Sequence, residues 1–180
     1  MHAAPPVIPP ANVAGLRWLA GFHPDPIACL DAWDRGDQAE IPLRHLAAVQ
    51  VSATLGIRAA QRLEPIGPVL HSVGRGTVEF LVAPTTMAVD RPDVRLLTGG
   101  ALPCPPPGRA PQRRRAPRWV VEPDGLGRLM DVRVVLDAVV AEHAYFATLP
   151  DDADIPVGRA PSATAAAAFI TAGRRAAGRP

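Results

Sequence analysis

Residues 44–84 constrain the fold most. They read RHLAAVQVSATLGIRAAQRLEPIGPVLHSVGRGTVEFLVAP. The run 44–51 is short and apolar and closes on Ser52, which predicts a buried strand. Ser52 is then the expected N-cap of a helix with Leu55, Ala59 and Leu63 on one face and Arg58, Gln61 and Arg62 on the other. Pro65, Gly67 and Pro68 break the chain, and PVLHSV and TVEFLVA follow as two further strands. Between them, Gly74-Arg75-Gly76 has two candidate uses: a phosphate-cradling loop or the turn of a hairpin. A P-loop needs G-x-x-x-x-G-K-S/T, and this chain has neither that spacing nor any lysine. Glycines between two apolar runs supply the positive φ of a tight turn, so a hairpin is expected. Arg75 then sits at an exposed tip, within reach of a phosphate.

The flanking segments supply helices and shorter strands. In NVAGLRWLAGF, Val13, Leu16, Leu19 and Ala20 recur at helical spacing. A second helix starts at Asp25 as N-cap with Pro26 at its first position, runs through Ile27, Leu30 and Trp33 or Asp34, and stops at Gly36. VRLL (94–97), ALPC (101–104) and RWVVEP (118–123) are short apolar pieces, the last read as a strand. DVRVVLDAVVAEHAYFATL predicts a helix over 131–149, capped by Asp131, with Val134, Val135, Ala138 and Val139 inward. The fold class expected is α/β: a mixed β-sheet with helices packed on it from 12–34, 52–64 and 131–147. Residues 1–11 are expected to be a flexible N-terminus, 12–149 one domain, and 150–180 a tail that is mobile or weakly helical.

Composition narrows the chemistry. All 19 basic residues are arginine, which removes lysine as a nucleophile or Schiff-base former. Cys29 and Cys104 are too few and too far apart for a disulfide framework or a metal knuckle. The five histidines are dispersed and no G-x-S-x-G occurs, so neither a metal site nor serine catalysis is indicated. No apolar stretch reaches spanning length and the proline-interrupted N-terminus lacks a basic n-region, so a cytoplasmic protein without membrane partners is expected.

The net charge of +2 is unremarkable, but its placement is not. GRAPQRRRAPR holds Arg109, Arg113, Arg114, Arg115 and Arg118 with no acid among them. Two readings stand for this run: a nucleic-acid contact through counterion release, or a solvated loop restrained by proline. Asp151, Asp152 and Asp154 lie in a proline-flanked linker and read as solubilising.

The order of these segments resembles a known family. AAVQVSATLGIRAAQRLE, GPVLHSVGRGTVEFLVAP, LLTGGALPCPPPG and RWVVEPDG together look like the N-terminal domain of bifunctional DNA primase/polymerases, of the archaeo-eukaryotic primase superfamily. The short, stand-alone actinobacterial type is the most similar, and the resemblance covers about residues 16 to 142. The series that carries it is the strand–helix with Gly56, the G-P-V before the hairpin, the A-P after it, the P-P-P segment and the R-W-x-V-x-P strand.

The resemblance implies a primase/polymerase-like fold and nucleotidyl transfer assisted by Mg²⁺ or Mn²⁺. That chemistry needs clustered carboxylates, because two nearby divalent ions require anionic oxygen ligands. The positions matching the family's first acids are Gln50 and Ser52, and the position matching its histidine is Val78. A third acid, expected near VRLLTGG, has Arg95 and Leu96 in its place. A retained activity would need a site rebuilt from Asp90, Asp93 or Glu79. Glu79 alternates to the face opposite Val78. The expectation is a catalytically degenerate domain with no metal or cofactor, linked to DNA replication. It would bind single-stranded DNA or nucleotide through Arg75 and the arginines of 109–118. The alternative is a regulatory protein–protein interaction module on the same scaffold.

Overall fold

The computed structural model describes residues 12–63, 67–110 and 113–148. The compact unit containing them ends at Thr148. The expected flexible N-terminus and C-terminal tail, with Asp151, Asp152 and Asp154, lie outside the described residues. In chain order the elements are α1 (Val13–Ala20), α2 (Pro26–Asp34), β1 (Ala39–Pro42), β2 (Ala47–Ser52), α3 (Ala53–Arg62), β3 (Val69–Ser72), β4 (Thr77–Val82), β5 (Val94–Leu97), β6 (Ala101–Cys104), β7 (Arg118–Val121) and α4 (Val132–Ala147).

A five-stranded sheet runs β5-β2-β4-β3-β7, and β1 with β6 forms a separate two-stranded ribbon. Every strand pairing in both is antiparallel. The α/β class holds, but the expected mixed sheet does not. Among the described residues the parallel pairing is the isolated bridge Val82–Met130. Chain connectivity explains the difference. The β3–β4 turn is too short for anything but an antiparallel pair. β2 and β3 are joined through α3 and run the same way, but β4 inserts between them, giving a split β-α-β unit.

The turn is the one expected from its glycines. Gly76 has φ +67°, a conformation that a Cβ disfavours. The Arg75 amide donates to the Ser72 carbonyl at 2.9 Å, closing the loop.

Alternation along the strands divides the core by sheet face. On one face Val49, Val51, Val78, Phe80 and Val82 pack with Leu55 and Ala59 of α3 and with Val135 and Val139 of α4. Each such fully buried side chain contributes roughly 1.5–3 kcal/mol. Gly56 lets α3 lie directly on this face: a Cβ there would stand 2.6 Å from the Val78 Cβ. On the other face Ala48, Leu70 and Leu81 pack with Leu19, Cys29, Trp33, Ile41 and Leu102, that is, with α1, α2 and the ribbon.

Several helix expectations need adjusting. Asp25 and Asp131 cap as expected, accepting from the Ala28 and Arg133 amides. Ser52 occupies the N-cap position of α3 but makes no side-chain cap bond. Val134 is 44% exposed, and the inward line of α4 is Val132, Val135, Ala138, Val139 and Glu142. Ile27 also faces outward; Cys29 and Trp33 are the buried residues of α2.

Candidate nucleic-acid interface

One end of the sheet gathers the arginines. Antiparallel pairing of β3 with β7 sets His71 opposite Arg118. The residues beyond each strand end, the hairpin tip and the turn before β7, are therefore neighbours. A Cβ on Gly74 would stand 3.4 Å from the Arg115 carbonyl oxygen. Arg75, Arg113, Arg114 and Arg115 are exposed around this junction, and Arg118 is half-buried at the start of β7. None of these five forms an ion pair among the described residues. Two positions some forty residues apart in sequence thus form one unneutralised basic edge.

The loop that presents three of them is held at its base. Trp33 Nε1 donates to the Cys104 carbonyl at 2.9 Å, and Trp119 Nε1 donates to the Pro105 carbonyl at 3.0 Å. Pro105, Pro106 and Pro107 are buried. Arg109 belongs to this anchoring and not to the basic edge. Its Nη1 donates to the carbonyls of Trp33 and Asp34 at 2.9 and 3.1 Å, and its Nη2 lies 3.4 Å from Asp34 Oδ1. These are the last carbonyls of α2, where the helix dipole favours a cation.

The positions that the resemblance matches to catalytic stations divide between the two faces of the sheet. Gln50 and Ser52 pair with Glu79 and Thr77 on the face opposite α3, whereas Val78 pairs with Val51 and is buried under Gly56. The side chains beside Gln50 are therefore Glu79 of β4, which is 0% exposed, and Arg95 of β5, which is exposed. The Glu79 carboxyl accepts from Gln50 Nε2 at 2.9 Å, Thr77 Oγ1 at 2.6 Å and Ser72 Oγ at 2.8 Å. The two-residue period of β2 and β4 placed Glu79 opposite Val78, but only the strand register shows that this is also the Gln50 face.

These residues do not fit the divalent ions that the resemblance implies. One carboxyl is present, and three neutral donors already occupy its oxygens. Gln50 and Ser52 add no charge. Asp93 is turned toward α4: Arg91 grips it through Nε and Nη2 at 3.0 and 2.7 Å, and His143 Nδ1 lies 3.2 Å away. The Arg91 hydrogen bond holds the Asp93 carboxyl below its usual range. Asp90 is exposed. Among the described residues no three His, Cys, Asp or Glu side chains converge as metal ligands.

Cys29, Cys104 and His71 are inward-facing. Burial pushes the Cys29 thiol up to about 11 and the Cys104 thiol upward as well. His71 is 7% exposed, and its Nδ1 has no hydrogen-bond partner. Burial, followed by the charge of Arg118, lowers its pKa, so the imidazole stays neutral behind the basic edge.

No helix among the described residues is long and apolar enough to cross a membrane. No protein-family model, curated protein or solved structure matches this chain.

Proposed function

We propose that this chain is a primase/polymerase-like domain that no longer transfers nucleotides and binds nucleic acid through its basic edge. The observation that carries the binding reading is the junction of the hairpin tip with the 113–116 turn. It brings Arg75 together with Arg113, Arg114, Arg115 and Arg118, none of which forms an ion pair among the described residues. Arginine offers planar, multidentate donors to phosphate oxygens, and releasing counterions from a polyanion drives the association. The loss of catalysis is supported by Gln50 and Ser52, which cannot supply ligand charge, and by Glu79, whose oxygens are committed to internal donors.

A second reading, a regulatory protein-interaction module on the same scaffold, draws on the outer face of α4. Val134 and Val140 are each 44% exposed there, and Tyr145 is 41% exposed. Titrating the full chain against a fluorescent single-stranded oligonucleotide separates the two. The nucleic-acid reading expects saturable binding that weakens roughly tenfold or more when Arg113, Arg114 and Arg115 all become Ala. Absence of binding, or binding indifferent to that change, favours the interaction module.

A further inference from the structure

A cleft opens beside the basic edge. It lies between the turn after α2 and the proline–arginine loop and has a volume of about 320 Å³. Gly36, Asp37 and Gln38 form part of one wall; Pro105, Arg113 and Pro117 are among the residues facing them.

Its chemistry is two-sided. The proline rings give a rigid apolar surface. Arg113 gives the site an excess of positive charge, since among the described residues it forms no ion pair, whereas Asp37 is paired with Arg35 at 3.3 Å and Arg109 with Asp34 at 3.4 Å. Arg109 also neutralises the carbonyl end of α2, which would otherwise repel an anion there. A ligand that suits both sides has a flat, weakly polar ring joined to an anion.

Arg113 belongs to the cleft and to the basic edge at once. A polyanion lying across the edge therefore passes the mouth of the cleft. The volume falls at the low end of the roughly 300–1,000 Å³ of small-ligand sites. It has room for one base with its sugar. Bases splayed from a single strand lie readily on guanidinium planes and apolar rings, whereas bases in a duplex are already stacked and paired.

We propose that the cleft seats one nucleotide of a single-stranded nucleic acid whose backbone lies on the basic edge, making the protein selective for single strands over duplex. This rests on the nucleic-acid reading above. The test uses the full chain, a labelled twelve-nucleotide strand, its duplex, and a strand of the same length whose sugars carry no bases. Two variants fill the cleft from its walls, Gln38→Trp at an exposed position and Ala116→Trp at a half-buried one. The natural chain is expected to prefer the single strand by about tenfold. Gln38→Trp removes that preference and leaves duplex affinity unchanged. The strand without bases binds the natural chain as weakly as the ordinary strand binds Gln38→Trp, and combining the two changes costs nothing further. Equal affinity for single strand, duplex and base-free strand overturns the cleft proposal while leaving the basic edge standing. So does undiminished single-strand binding by both filled variants. No binding to any of the three by the natural chain overturns both.

Discussion

Gln50 and Glu79 face each other across β2 and β4, with the amide Nε2 2.9 Å from the carboxyl Oε1. A neutral amide thus engages the carboxyl that shares its face, and the two, with Ser72 and Thr77, form a closed hydrogen-bonded set. Glu79→Gln turns one acceptor of that set into a donor pointed at donors. The expected cost is about 1–3 kcal/mol, read as a lower denaturation midpoint in urea. With the carboxyl so engaged, template-dependent primer synthesis or extension with Mg²⁺ or Mn²⁺ is not expected. Product that disappears in Asp93→Ala would contradict this.

The α3–α4 interface rests on a buried acid. Glu142 is 2% exposed and is bridged by Arg58 at 3.0 Å and by Arg62. Arg58 also lies over the rings of Tyr145 and Phe146 at 4.9 and 5.1 Å. Burial raises the Glu142 pKa, but the hydrogen bonds from Arg62 and Arg58 outweigh it and the net shift is downward. Glu142→Gln should destabilise the fold by about 2 kcal/mol. That is below the ~3–5 kcal/mol of a fully buried pair, because both arginines remain partly in water. Thermal unfolding of the variant checks it.

Acid should weaken the fold in two separate windows. His71 has a folded-state pKa below its ordinary 6.5, lowered by burial and by Arg118. The unfolded chain therefore takes up a proton there before the folded chain does. The stability this residue contributes is complete above 6.5 and falls as pH drops below it. Asp93 and Glu142 have pKa values held below 3.8 and 4.5, so their contributions are lost only at more acidic pH. Replacing His71 with Phe should flatten the unfolding free energy just below pH 6.5 and leave the more acidic window intact.

Arg109 and Arg113 come from one basic run yet should behave differently in stability. Arg109→Ala removes the donors to the Trp33 and Asp34 carbonyls at the end of α2. A loss of about 1–2 kcal/mol is expected. Arg113→Ala, on an exposed turn, should stay within about 0.5 kcal/mol of the natural chain. Calorimetry on the two variants distinguishes them.

Much of the fold was legible because the local chemistry is explicit. Gly74 and Gly76 mark the hairpin, Asp25-Pro26 marks the start of α2, and Asp131 marks that of α4. Beyond the hairpin, strand neighbours were not legible, because alternation says which face a residue occupies and not which strand lies beside it. The β1–β6 ribbon pairs Ile41 with Leu102 through two four-residue strands, with AEIP giving almost no periodic signal. Val134 fell outside the buried stripe because Val132 and Glu142 define the inward line of α4. Glu142 is an acid buried only because Arg58 and Arg62 reach it from another helix. At the candidate site the arginines were visible as composition. Their meeting with Arg75 depends on the β3–β7 register, and the departure of Arg109 on its bonds to the end of α2. The cleft residues Gly36, Gln38 and Pro117 carried no signal, since nothing in their types or spacing marks them as neighbours.

The proposed binding is electrostatic, so it should show in how single-strand affinity depends on salt. If Arg75, Arg113, Arg114, Arg115 and Arg118 each neutralise one phosphate, log K should fall against log salt with a slope of about −3.5. Changing Arg113, Arg114 and Arg115 to Ala should reduce that slope by about 2. A slope near zero, or one unchanged by removing the three arginines, would rule out binding through this edge.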